Sequence, residues 1–175
     1  MRRRLQLTAL VAVVAVLGVV AIAVATNGAR KVDERLTGYE EQPAALSTSG
    51  SGDFHAEFRR SGDRLEYSLS YRDLEGSVTQ AHIHFGSDNQ AAPISVFLCS
   101  NLGNGPAGTQ PCPAAPATIT GTARAEDVIG PSQFGIAPGE FDEFLDALEA
   151  GATYVNVHSS KYPGGEIRAQ IEPND

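Results

Sequence analysis

Four histidines hold most of this sequence's capacity for chemistry, and two of them stand two residues apart in Ala81-His82-Ile83-His84-Phe85. On an extended strand that spacing points both imidazoles to one face, roughly 7 Å apart along the chain. Two imidazoles so placed can approach one transition-metal ion, provided a neighbouring strand brings a third ligand. His158 is the leading candidate for that ligand, with His55 and Glu166 as alternatives. Copper or zinc is the metal such a set would take. The plainer alternative is a polar, outward sheet face on which His82, His84, Asn156, His158, Glu166 and Arg168 hydrogen-bond one another. No other constellation supports catalysis, since the sequence has no Gly-x-Ser-x-Gly elbow, phosphate-cradling glycine loop or Cys-x-x-Cys pair.

The elements that must position these residues are strands. From Leu36 onward apolar residues recur with period two, the mark of a strand with one buried face. Phe54, Ala56 and Phe58 alternate with His55 and Glu57, and Leu65, Tyr67, Leu69 and Tyr71 with Glu66, Ser68 and Ser70. Arg60-Ser61-Gly62-Asp63 between them reads as a hairpin turn. The pattern returns at Ala81, Ile83 and Phe85, at Ile94, Val96 and Leu98, at Val155 and Val157, and at Ile167, Ala169 and Ile171. Short strands separated by Gly and Pro turns predict an all-β, antiparallel sandwich or barrel. One short helix is expected in the C-terminal third, where Phe141, Phe144, Leu145 and Leu148 share a face between Pro138-Gly139 and Gly151. Its acidic residues Glu140, Asp142, Glu143, Asp146 and Glu149 read as a solvated face. Pro163-Gly164-Gly165 must turn tightly, which folds Glu166 and Arg168 back beside Asn156 and His158. Glu166 and Arg168 could then form an ion pair that orients the histidines.

The N-terminus is of another kind. Met1-Arg2-Arg3-Arg4 precedes an apolar run from Leu5 to Ala25, expected to be helical, which reads as a secretory signal cut after Ala25 or as a membrane anchor. Either places the remainder on the exported side, secreted or at the cell envelope. Residues 26–35 read as a linker, 36–172 as the β domain and 173–175 as a tail. The 175-residue chain carries 13 basic and 21 acidic groups, a net charge of −8, and three of the basic groups are in the leader. So acidic a domain is a poor partner for nucleic acid and for anionic lipid, leaving the N-terminal segment as the one route to a membrane. In an exported protein, Cys99 and Cys112 are expected to pair across the Gly-, Pro- and Asn-rich loop between them.

Three blocks, Ala81-His82-Ile83-His84-Phe85-Gly86, Gly151-Ala152-Thr153-Tyr154-Val155-Asn156-Val157-His158 and Tyr162-Pro163-Gly164-Gly165-Glu166-Ile167-Arg168-Ala169-Gln170-Ile171, resemble the signature of the CHRD domain family, named for chordin. The last block is the most specific, although Ala169 stands where the family usually has Gly. The resemblance implies an extracellular β-rich domain without established enzymatic activity. The expected function is binding, through the acidic surface and loops, of an unidentified extracellular protein or envelope component. It marks His82, His84, Asn156, His158, Glu166 and Arg168 as the family's polar signature without assigning them a role. Copper–zinc superoxide dismutases offer an analogy of fold and motif, since they too place His-x-His on a β-sandwich strand beside a disulfide-tied loop. Those enzymes need more ligands than four histidines supply, so a mononuclear site is the most the analogy carries.

Overall fold

Period-two alternation produces eight strands in the computed structural model, which describes residues 28–174. They are β1 (Arg30–Thr37), β2 (Ser51–Phe58), β3 (Leu65–Arg72), β4 (Val78–Phe85), β5 (Ile94–Ser100), β6 (Ala117–Ala123), β7 (Thr153–Ser159) and β8 (Ile167–Gln170). All pair antiparallel in one sheet of order β5-β4-β7-β8-β1-β2-β3-β6, which curls into a nearly closed barrel. Of the two architectures compatible with the sequence, the structure is thus the barrel. The leader at residues 1–25 lies outside the described residues, among which no helix is long and apolar enough to cross a membrane.

The inward residues are those the alternation singles out. Phe54, Leu65, Leu69, Ile83, Val155, Val157 and Ile167 are fully buried. The helix α1 (Phe141–Glu149) buries Phe141, Phe144, Leu145 and Leu148 in the same core, and its acidic outer face meets Arg60 through Asp146 and Glu149.

Two strands differ from the sequence reading. β1 begins at Arg30, within the segment read as a linker, and pairs along its whole length with β2. Its buried residues Val32 and Leu36 stand four apart among charged neighbours, so the strand's apolar signal is sparse and its partner supplies the stability. β6 alternates small and β-branched residues, Ala117-Thr118-Ile119-Thr120-Gly121-Thr122-Ala123, rather than large apolar ones. Gly121 is required there because a Cβ would lie 2.3 Å from the Tyr67 hydroxyl oxygen.

The loop between Cys99 and Cys112 spans the seam of the barrel. The two residues form a disulfide, and Gln110 beside it donates from Nε2 to the carbonyls of Leu98 on β5 and Thr120 on β6, the two strands at the ends of the sheet. Breaking the cross-link with Cys99→Ser/Cys112→Ser releases a 13-residue separation. It should lower stability by about 3 kcal/mol, or roughly 6–12 °C in Tm, read by calorimetry of the oxidised and substituted proteins. An unchanged Tm would show that the seam is held by hydrogen bonds alone.

Candidate metal centre

Both faces of β4 and β7 are largely buried. Ala81, Ile83, Val155 and Val157 fill the barrel, while His82, His84, Tyr154, Asn156 and His158 lie on the opposite face. The plainer alternative, an outward face open to solvent, does not hold, because that second face is covered. His82 is 0% exposed, and His84 and His158 are under a tenth exposed. The cover is made of connections whose backbone carbonyls accept the face's donors. Arg168 donates to the carbonyls of Ser87 and Gln90, Gln170 to those of Gly86 and Gly151, and His84 to that of Ala92.

Strand register brings the three histidines together. His82 stands opposite Asn156, and Gln80 opposite His158, so His158 lies diagonally across from His82. One nitrogen from each of the three rings lies within 4.8 Å of one from each of the others. His55 takes no part: it is exposed on β2 and pairs with Asp33 at 2.6 Å. Glu166 takes no part either, and it makes no ion pair with Arg168. Its Oε1 accepts from the Thr48 hydroxyl at 2.8 Å and from the Glu75 backbone N–H at 2.6 Å, tying down two surface connections.

Hydrogen bonds fix which nitrogens are free. His84 Nδ1 lies 2.7 Å from the Ala92 carbonyl oxygen and His158 Nδ1 lies 2.9 Å from that of Pro163. A carbonyl only accepts, so both Nδ1 atoms carry the proton and both Nε2 atoms present a lone pair. His82 Nδ1 lies 3.2 Å from His158 Nε2 and therefore donates to it. The Nε2 atoms of His82 and His84 are left buried without any partner. Burial also keeps the rings neutral, pushing His82 down to about 2 and His84 to about 4, with the neighbouring rings adding to the effect, and lowering His158 as well.

Such an arrangement suits a metal. Metal-bound histidines characteristically donate their second N–H to a carbonyl or carboxylate, which sets the tautomer and the ring angle. Two ligands about 2.0–2.1 Å from a tetrahedral ion are roughly 3.3 Å apart, close to the His82–His158 separation. The widest separation in the set, up to 4.8 Å, must contract, and His82 must pass its proton from Nδ1 to Nε2 if Nδ1 is to ligate.

Around the triad lies a supporting shell. The Tyr154 ring stacks on His84 with centroids 4.6 Å apart, and Arg168 lies over Tyr154 with its guanidinium carbon 3.5 Å from the ring centroid. The Tyr162–Gly165 turn supplies the Pro163 carbonyl to His158, so the tight turn expected at Pro163-Gly164-Gly165 orients a histidine directly. At Gly165, where φ is +138°, a Cβ would stand 2.5 Å from a Glu41 carboxylate oxygen. Glu41 was not foreseen from the sequence. It is a buried carboxylate in a short polar segment, accepting from Asn156 Nδ2 at 2.7 Å, and burial pushes it up to about 7. No local pattern distinguishes it from the neighbouring Glu40, which is exposed.

Arg168 is the cation that holds this shell together. Arg168→Met keeps most of the volume but strands the Ser87 and Gln90 carbonyls and leaves Glu41 without its neighbouring positive charge. It should cost about 3 kcal/mol and speed hydrogen exchange in residues 86–93. Unchanged exchange there would show that the loop stays closed without the arginine.

A nearly closed antiparallel β-barrel with a buried three-histidine cluster beneath its loops defines the structural class. Within it, the family model of the CHRD domain matches residues 32–171, and the chain belongs to that family. No curated protein and no solved structure matches it significantly.

Proposed function

We propose that this chain is an exported, non-catalytic CHRD domain that holds one transition-metal ion, copper or zinc, between His82, His84 and His158. One observation carries the reading: one nitrogen from each of three buried imidazoles lies within 4.8 Å of one from each of the others, while carbonyls orient the His84 and His158 rings from behind and leave His84 Nε2 with no other partner. Leaving the buried lone pair of His84 Nε2 unpaired is unfavourable, and a bound metal ion would satisfy it. The acidic surface and the connections over the site are the parts available to an extracellular protein or an envelope component. Elemental analysis of protein purified without chelators tests the metal assignment. About one copper or zinc per chain is expected, falling close to zero in the His82→Ala/His84→Ala/His158→Ala variant. Equal metal in both proteins would sink the assignment.

A further inference from the structure

Resting on that reading, we infer that the site selects a monovalent soft ion, Cu(I), over divalent Zn(II) or Cu(II). The argument is one of charge. All three ligands are imidazoles, which bind a metal as neutral groups, and hydrogen bonds to backbone carbonyls fix His84 and His158 with the proton on Nδ1. Among the described residues no carboxylate belongs to the cluster. Of the two buried acids nearby, Glu41 accepts from Asn156, and Glu166 accepts from Thr48 and the Glu75 N–H through Oε1, its Oε2 being buried without a partner but outside the histidine cluster. The charged side chain that does act on the cluster is a cation, Arg168, which reaches His84 through the intervening Tyr154 ring.

A bound ion therefore keeps its full charge in a buried setting. The cost of burying charge rises with its square, so a divalent ion pays about four times what a monovalent one does. Coordination number points the same way. Three nitrogens complete the shell of Cu(I), whereas Zn(II) takes a fourth ligand. Space for one is limited, since the Phe97 ring packs edge to face with His82, ring centroids 4.4 Å apart, and the three histidines are buried.

Anaerobic competition on the full chain tests the selection, with bicinchoninate as the competing chelator for Cu(I) and a chromophoric chelator for Zn(II). Cu(I) should bind more than about a hundredfold tighter than Zn(II), and the bound copper couple should lie at a higher potential than the aqueous one. His84→Asp, which introduces an anionic ligand, should narrow the Cu(I)-to-Zn(II) ratio by at least about tenfold. A ratio under about a hundredfold in the wild type, with both ions lost in the triple-alanine variant, would overturn the selection and leave the site standing. Retention of neither ion by the wild type would instead overturn the site itself.

Discussion

His84→Phe is expected to lower metal affinity by at least about a thousandfold while leaving the barrel folded. Removing an outer-shell hydrogen bond from a metal-bound histidine typically weakens binding 10–100-fold, so removing a direct ligand exceeds that range. Phenylalanine suits the test because it keeps the flat ring stacked on Tyr154 while offering no lone pair. The Ala92 carbonyl that loses the His84 donor still accepts from the Tyr154 hydroxyl at 3.3 Å, so the loop retains a tether. Titration with copper followed by competition with a chelator reads the affinity, and circular dichroism reads the fold. Wild-type affinity in a folded variant would remove His84 from the ligand set.

Acidification of the metal-free protein should destabilise it, most sharply below pH 5. Burial lowers His82 to about 2 and His84 to about 4, whereas both sit near 6.5 in the unfolded chain. Their contribution is full above pH 6.5 and is lost as the pH falls, because only the unfolded chain takes up the protons. At pH 5 the two together account for about 4 kcal/mol, and His158 shifts in the same direction. Glu41 opposes them. Raised from 4.5 to about 7, its contribution is full below pH 4.5 and is lost as the pH rises through 7. Between pH 7 and 5 it returns roughly 2 kcal/mol, and it has little left to add below that. Glu41→Gln should therefore expose the whole histidine slope, losing about 4 kcal/mol from pH 7 to 5 against roughly 2 kcal/mol in the wild type. Urea melts in the presence of a chelator measure both. A flat wild-type profile from pH 7 to 4 would show that the histidines are more hydrated than their burial implies.

The acid response also marks the boundary of what could be read from the residues alone. Period-two alternation correctly assigned Phe54, Leu69, Ile83, Val157 and Ile167 to a buried face, since that pattern is a local property of a strand. The spacing of His82 and His84 put both on one side of β4 for the same reason. α1 was legible from its four apolar residues and its Gly stop, and the pairing of Cys99 with Cys112 from their number and setting. β1 and β6 were less legible, because charged or small residues occupy them and their partners hold them in the sheet. A β-branched alternation at Thr118, Thr120 and Thr122 was the signal available for β6.

By itself, then, the sequence determined that this is an all-β chain with two histidines on one strand face and a third on a later strand. Only the tertiary structure decided that the face is buried, that His158 rather than His55 or Glu166 completes the cluster, and that Glu41 and Arg168 lie beside it. The physical reason is that alternation distinguishes the two faces of a strand but not what covers them. The cover here is built from backbone carbonyls at Ser87, Gln90, Ala92 and Pro163, groups that every residue possesses and no sequence pattern reveals. The third member of the cluster is set by the register between β4 and β7, which brings His82 and His158, 76 positions apart, into contact.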